Sequence, residues 1–123
     1  MAHRRPTDDD IAAARVIAAR VAVGADVARA ALAASVRTVC ALLAHDHPGS
    51  TLEVRVPPFA AVQAGLGERG AHTRGTPPNV VEADAVTMLN LASGALAWAD
   101  AMAEHRVHAS GAHVNMGPWF PCL

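Results

Sequence analysis

Asn79-Val-Val-Glu-Ala83, followed at once by Asp84-Ala-Val-Thr-Met-Leu-Asn-Leu-Ala-Ser-Gly94, runs a short strand into a helix with no intervening loop. The valines suit a pleated surface. Asp84 is placed to cap the helix, because its carboxylate can accept a backbone N–H of the first turn. Val86, Met88, Leu89, Leu91 and Ala92 supply an apolar helix body, and Gly94 is its C-terminal stop. A strand feeding directly into an apolar helix is a unit of a layered domain, with the helix laid over the sheet.

Reading outward toward the C-terminus, a short helix at about 97–104 sets Trp98 and Met102 one turn apart. Arg106-Val-His-Ala-Ser110 follows as a strand ended by Gly111. The tail from Val114 to Leu123 holds Trp119 and Phe120 between prolines and is expected to dock on the body.

Toward the N-terminus, the segment 71–78 opens as a third strand, but Gly75 and Pro77-Pro78 turn its second half into a loop. Thr51-Leu-Glu-Val-Arg-Val56 alternates Leu52, Val54 and Val56 with Glu53 and Arg55, the period of a strand with one wet face. Pro57-Pro58 stops it, and Phe59 to Ala64 returns as a second strand. Before these, Leu32, Val36, Val39, Cys40 and Leu43 form a helical stripe over about 26–44, ended at Pro48. A first helix runs from about Asp9 to Val23, capped by Thr7 or Asp8. Gly24 is either a break or a weak point within one continuous helix. The order gives an α+β domain with helices covering one face of the sheet. Residues 1–7 form a lead-in and 8–123 a single domain.

The chain has 123 residues, enough for one core. Net charge is −1, and the ten basic residues, all arginine, are scattered singly apart from Arg4-Arg5. No basic face for phosphates results, so nucleic acid is excluded as an expected partner. Only two cysteines occur, Cys40 and Cys122, without metal-finger or redox spacing. Three acids follow the N-terminal arginines where a signal peptide would place its apolar core, and no stretch is long enough to span a membrane. A cytoplasmic location without integral membrane association is the expectation.

The segment 81–111, with Asp84, Thr87, Leu91-Ala-Ser-Gly94, Trp98, Ala101 and a strand closing on Gly111, resembles the C-terminal half of sterol-carrier-type domains. Val56-Pro-Pro-Phe-Ala-Ala-Val-Gln63 and His72-Thr-Arg-Gly-Thr-Pro-Pro-Asn-Val-Val-Glu82 are similar to the bacterial, mainly actinobacterial, branch of that family. The resemblance covers roughly residues 25–120. It implies a twisted five-stranded sheet, helices on one face, an apolar cavity between them and a lipid-like ligand. Two departures stand out. His105 occupies a turn where related sequences usually place glycine, and the C-terminus lacks the longer helix that lines the cavity in larger relatives, which points to a smaller or closed cavity.

On that implication, Val86, Met88, Leu89, Trp98 and Met102 are candidates for an apolar ligand wall, or simply for core. Arg74, Thr76 and Asn79 are candidates for a polar head-group contact, since a guanidinium holds a carboxylate or phosphate by paired hydrogen bonds. Alternatively Arg74 pairs with Glu82 or Glu53, and Asn79 supports the turn. His45-x-His47 sits at a helix end, where the dipole already favours positive charge, and His105 and His108 have no acidic or cysteine partner at ligand spacing, so no metal is expected. No cofactor is expected either. No nucleophile elbow, phosphate loop or zinc-protease helix occurs, so no catalytic residue is assigned. The expectation is a non-catalytic carrier of a small apolar or amphipathic molecule. Its rivals are a protein-interaction module without a cavity, with Trp119 and Phe120 at a homodimer or partner interface, and an accessory domain for an enzyme encoded elsewhere.

Overall fold

The computed structural model describes residues 4–67, 79–112 and 114–123. Helix α1 spans Asp8–Ala22 and α2 Arg29–Asp46; strands β1 Leu52–Val56, β2 Ala60–Ala64 and β3 Asn79–Ala83 follow. Helices α3 Ala85–Ser93 and α4 Trp98–Ala103, then β4 Val107–Ser110, complete the body, and a short 3-10 turn covers Gly117–Trp119.

Local chemistry fixes the helix ends. Thr7 caps α1 in a reciprocal box: its hydroxyl accepts the Asp10 N–H at 3.1 Å, while the Asp10 carboxylate accepts the Thr7 N–H at 3.1 Å. Such a cap is worth about 1 kcal/mol. The open alternative at Gly24 resolves as a break, with Gly24 at φ +73° just past the end of α1. Asp84 caps α3, accepting the Thr87 N–H at 2.8 Å, and Gly94 closes it in the left-handed conformation at φ +85°.

The strands form one sheet in the order β2-β1-β3-β4. β1 is antiparallel to β2 and parallel to β3, while β3 is antiparallel to β4. The expectation of roughly five strands is corrected to four among the described residues; the stretch 71–78, where a further strand was to begin, lies outside them. The α+β class stands. On the inner face Leu52, Val54, Val56 and Val81 have no exposed surface, each burial stabilising by about 1.5–3 kcal/mol. Val36, Val39 and Leu43 of α2 and Met88, Leu89 and Leu91 of α3 join them in one core. α1 lays Ile11, Ala14, Ala18 and Val21 against this assembly, packing on α2 and α3. Among the described residues no helix is long and apolar enough to cross a membrane.

By the same register the opposite face of the sheet carries Ala61, Gln63, Glu53, Arg55, Val80, Glu82 and His108, all half-buried or exposed. The two ends of the chain are tied to the body differently. The α1 end is packed through small side chains, whereas the C-terminal tail is held by backbone: the N–H groups of Cys122 and Leu123 both donate to the Ala92 carbonyl, at 2.9 and 3.0 Å. That carbonyl belongs to the last turn of α3 and would otherwise lack an intrahelical partner.

Candidate functional site

β3 delivers Glu82 to the outer face and hands over to Asp84 at the head of α3. Glu82 lies directly opposite His108 on β4 and beside Arg55 on β1. The turn from α4 into β4 brings up His105 and Arg106, fixed by the Arg106 N–H donating to the Ala101 carbonyl at 2.9 Å. His105 sits at φ +56°, the left-handed region that favours glycine. Together Glu82, Asp84, His105, Arg106 and His108, with Pro57, line a cleft of about 370 Å³. The cleft stands at the carboxyl ends of the parallel pair β1 and β3, the side on which open sheets containing parallel strands commonly present ligands.

A second depression adjoins it. The β1–β2 turn, closed by the Phe59 N–H on the Val56 carbonyl at 2.9 Å, contains a cis Pro57-Pro58 peptide. Pro57, Pro58, Phe59, Ala60 and Ala61, with Arg55, line an open trough of about 450 Å³. Pro57 borders both depressions, so a mostly apolar trough runs into a charged cleft. The turn is held from behind by α2: Arg37 Nε donates to the Phe59 carbonyl at 3.2 Å, and the Arg29 guanidinium lies 5.0 Å from the Phe59 ring centroid. Arg55 is engaged locally through Nε with Glu53.

The sequence-derived ligand wall is distributed over several environments. Met88 and Leu89 are fully buried in the core, whereas Val86 is 43% and Met102 36% exposed. Trp98 is half-buried, stacked at 6.3 Å on Phe120. It lines a third depression of about 230 Å³ with Leu91, Leu96, Phe120 and Pro121. The five residues therefore do not share one surface. Asn79 is buried, and its Nδ2 donates to the Thr51 carbonyl at 2.9 Å, tying the start of β3 to the start of β1. Arg74 and Thr76 lie outside the described residues.

Trp119 stacks on His47 with centroids 3.9 Å apart and planes within 4°. Burial lowers the His47 pKa below its ordinary value, the nearby Asp46 carboxylate pulling the other way. Cys40 and Cys122 are both pushed up to about 12, chiefly by burial, so neither is a thiolate nucleophile at neutral pH. Among the described residues no three His, Cys, Asp or Glu side chains converge as a metal site.

Sequence reasoning missed the cleft. It left His105 and His108 without acidic partners because it searched along the chain, while the partner arrives across the sheet: the β3–β4 ladder sets Glu82 opposite His108. The usable signal was the alternation itself, which turns Val80 and Glu82 to the same face and makes any antiparallel neighbour contribute to it.

The family model described as a bacterial SCP ortholog matches residues 28–122, which span α2 to the C-terminal tail and leave α1 outside the match. No curated protein matches the chain. As that match covers most of the chain, the chain belongs to the bacterial sterol-carrier-protein (SCP) family.

Proposed function

We propose that this protein binds and carries a small amphipathic molecule without catalysing a reaction on it. The observation that carries the proposal is the apolar trough at Pro57-Pro58-Phe59 opening into the cleft of Glu82, Asp84 and Arg106, two surfaces of opposite character sharing one border residue. Binding sites combine an apolar lining with a few polar groups that fix orientation. Family membership is compatible with lipid carriage and supports the same reading. The depression at Trp98 offers a further place for an apolar group.

Native mass spectrometry of the purified protein, with organic extraction of what co-purifies, tests the proposal. The expected result is one small amphiphile per chain, lost on Ala61→Trp, which fills the trough from an exposed position. Ligand-free protein that shows no thermal shift with a panel of fatty acids, amines and acyl esters would remove this reading. A second reading would then stand: an interaction module that has kept the fold, favoured by the closed packing of Met88 and Leu89 beneath the sheet-covering helices. Half-buried Trp119 and Phe120 are its candidate contacts with a second copy or another protein.

A further inference from the structure

Glu82 and Arg106 bring opposite charges into one cleft and do not pair there. Among the described residues the ion pairs are Arg5 with Asp8, His45 with Asp46 and Arg55 with Glu53. Neither Glu82 nor Arg106 makes a side-chain hydrogen bond to another described residue. Arg55, the guanidinium that the ladder sets beside Glu82, is engaged on Glu53. Asp84 spends one carboxylate oxygen on its own helix cap and keeps the other.

Two opposite charges held apart in a cleft of about 370 Å³ complement a molecule that carries both charges itself. A simple anion drawn to Arg106 would meet two carboxylates, and a simple cation drawn to the carboxylates would meet Arg106. A divalent metal ion lacks three converging ligands among the described residues. The backbone supplies an independent observation: His105 lines this cleft from a left-handed conformation in which a side chain is costly and glycine is free, the kind of strain that concentrates at binding sites.

We infer that the cleft takes a zwitterionic head group, its ammonium beside the carboxylates of Glu82 and Asp84 and its carboxylate or phosphate beside Arg106. The inference rests on the amphipathic-ligand reading and names the chemistry of the polar end. The apolar remainder of the ligand lies along Pro57, Pro58 and Phe59.

Titrating the full-length 15N-labelled protein with 2-aminooctanoate, octanoate, octylamine and glycine separates head group from tail. The expected result is that 2-aminooctanoate binds about tenfold tighter than either one-charge analogue, moving the amides of Glu82, Asp84, Arg106 and His108. Glu82→Gln should reduce its advantage over octanoate, Asp84 remaining beside the ammonium, and Arg106→Gln should erase its advantage over octylamine. Both changes are at partly exposed positions, and the spectrum of each free variant reports whether its fold is intact. Equal affinity for 2-aminooctanoate and either one-charge analogue overturns the head group while leaving an amphiphile site. Glycine binding as tightly as 2-aminooctanoate keeps the head group and overturns the trough. No response to any of the four overturns both.

Discussion

His105 illustrates how much one residue can cost. An L-residue in the left-handed region gives up roughly 1–2 kcal/mol, partly offset by the greater unfolded-state entropy of the glycine that would replace it. His105→Gly should therefore stabilise the fold by about 1 kcal/mol, read as a higher urea midpoint with an unchanged slope. The same variant should bind the zwitterionic probe less well, since it removes a side chain from the cleft wall. A variant that is less stable would mean that the imidazole makes contacts worth more than the strain. Other single-residue constraints, unlike that of His105, are invisible along the chain. A Cβ on Gly65 would lie 2.3 Å from the Pro48 carbonyl oxygen, because the end of β2 presses against the turn after α2. Nothing in the run Gly65-Leu-Gly announces that contact, which exists only once α2 and β2 are packed together.

Among the elements, the C-terminal tail packs on a histidine whose pKa is shifted by burial. His47 is the face on which Trp119 stacks, and its folded pKa lies below the unfolded value near 6.5 because burial disfavours the imidazolium. A group with a depressed histidine pKa binds more protons when unfolded, so stability rises with pH across the window. The contribution is complete above about 6.5 and is lost as pH falls from there toward the folded pKa. Urea midpoints at pH 7.5 and 5.5 should thus fall in the wild type and fall less in His47→Phe, which keeps a ring for the stack but cannot titrate. Equal falls would remove His47 as the cause.

Helices and strands with strong local signals were legible in the sequence: the Asp84 cap and Gly94 stop of α3, the alternation of β1, and β3 over the same residues 79–83. Their arrangement was not. The parallel pairing of β1 with β3 joins segments separated by a whole hairpin, and no local pattern specifies which edge of β1 the later strand takes. The cleft depends on that arrangement, which is why the sequence offers His105 and His108 no acidic partner. The apolar α3 stripe was legible as apolar, but periodicity does not separate core from ligand wall, and Met88 and Leu89 are fully buried where Val86 is not.

For the whole molecule, the two thiols report two depths of opening. Both have pKa values pushed up to about 12, so at pH 8 their thiolate fraction falls about 1000-fold relative to a thiol of ordinary value 9.0. Alkylation by iodoacetamide should then be very slow in the native protein and fast in urea. Cys122 should react sooner than Cys40, because freeing it requires only that the tail leave Ala92, whereas Cys40 has no exposed surface and lies within the main core. Equal rates measured by mass spectrometry would mean that the tail and the body open together.

The position of β1 in the sheet also matters before the chain is finished. β2 follows β1 after a tight turn and can close one edge as soon as it is made, but the other edge waits for β3, more than twenty residues later. At ribosomal speeds that wait is on the order of seconds. Throughout it, Leu52, Val54 and Val56 sit on a strand with an open row of hydrogen-bonding groups, a template for pairing with a neighbouring nascent chain. A strand interior to the finished sheet thus presents, during synthesis, an unpaired edge of the kind that invites aggregation.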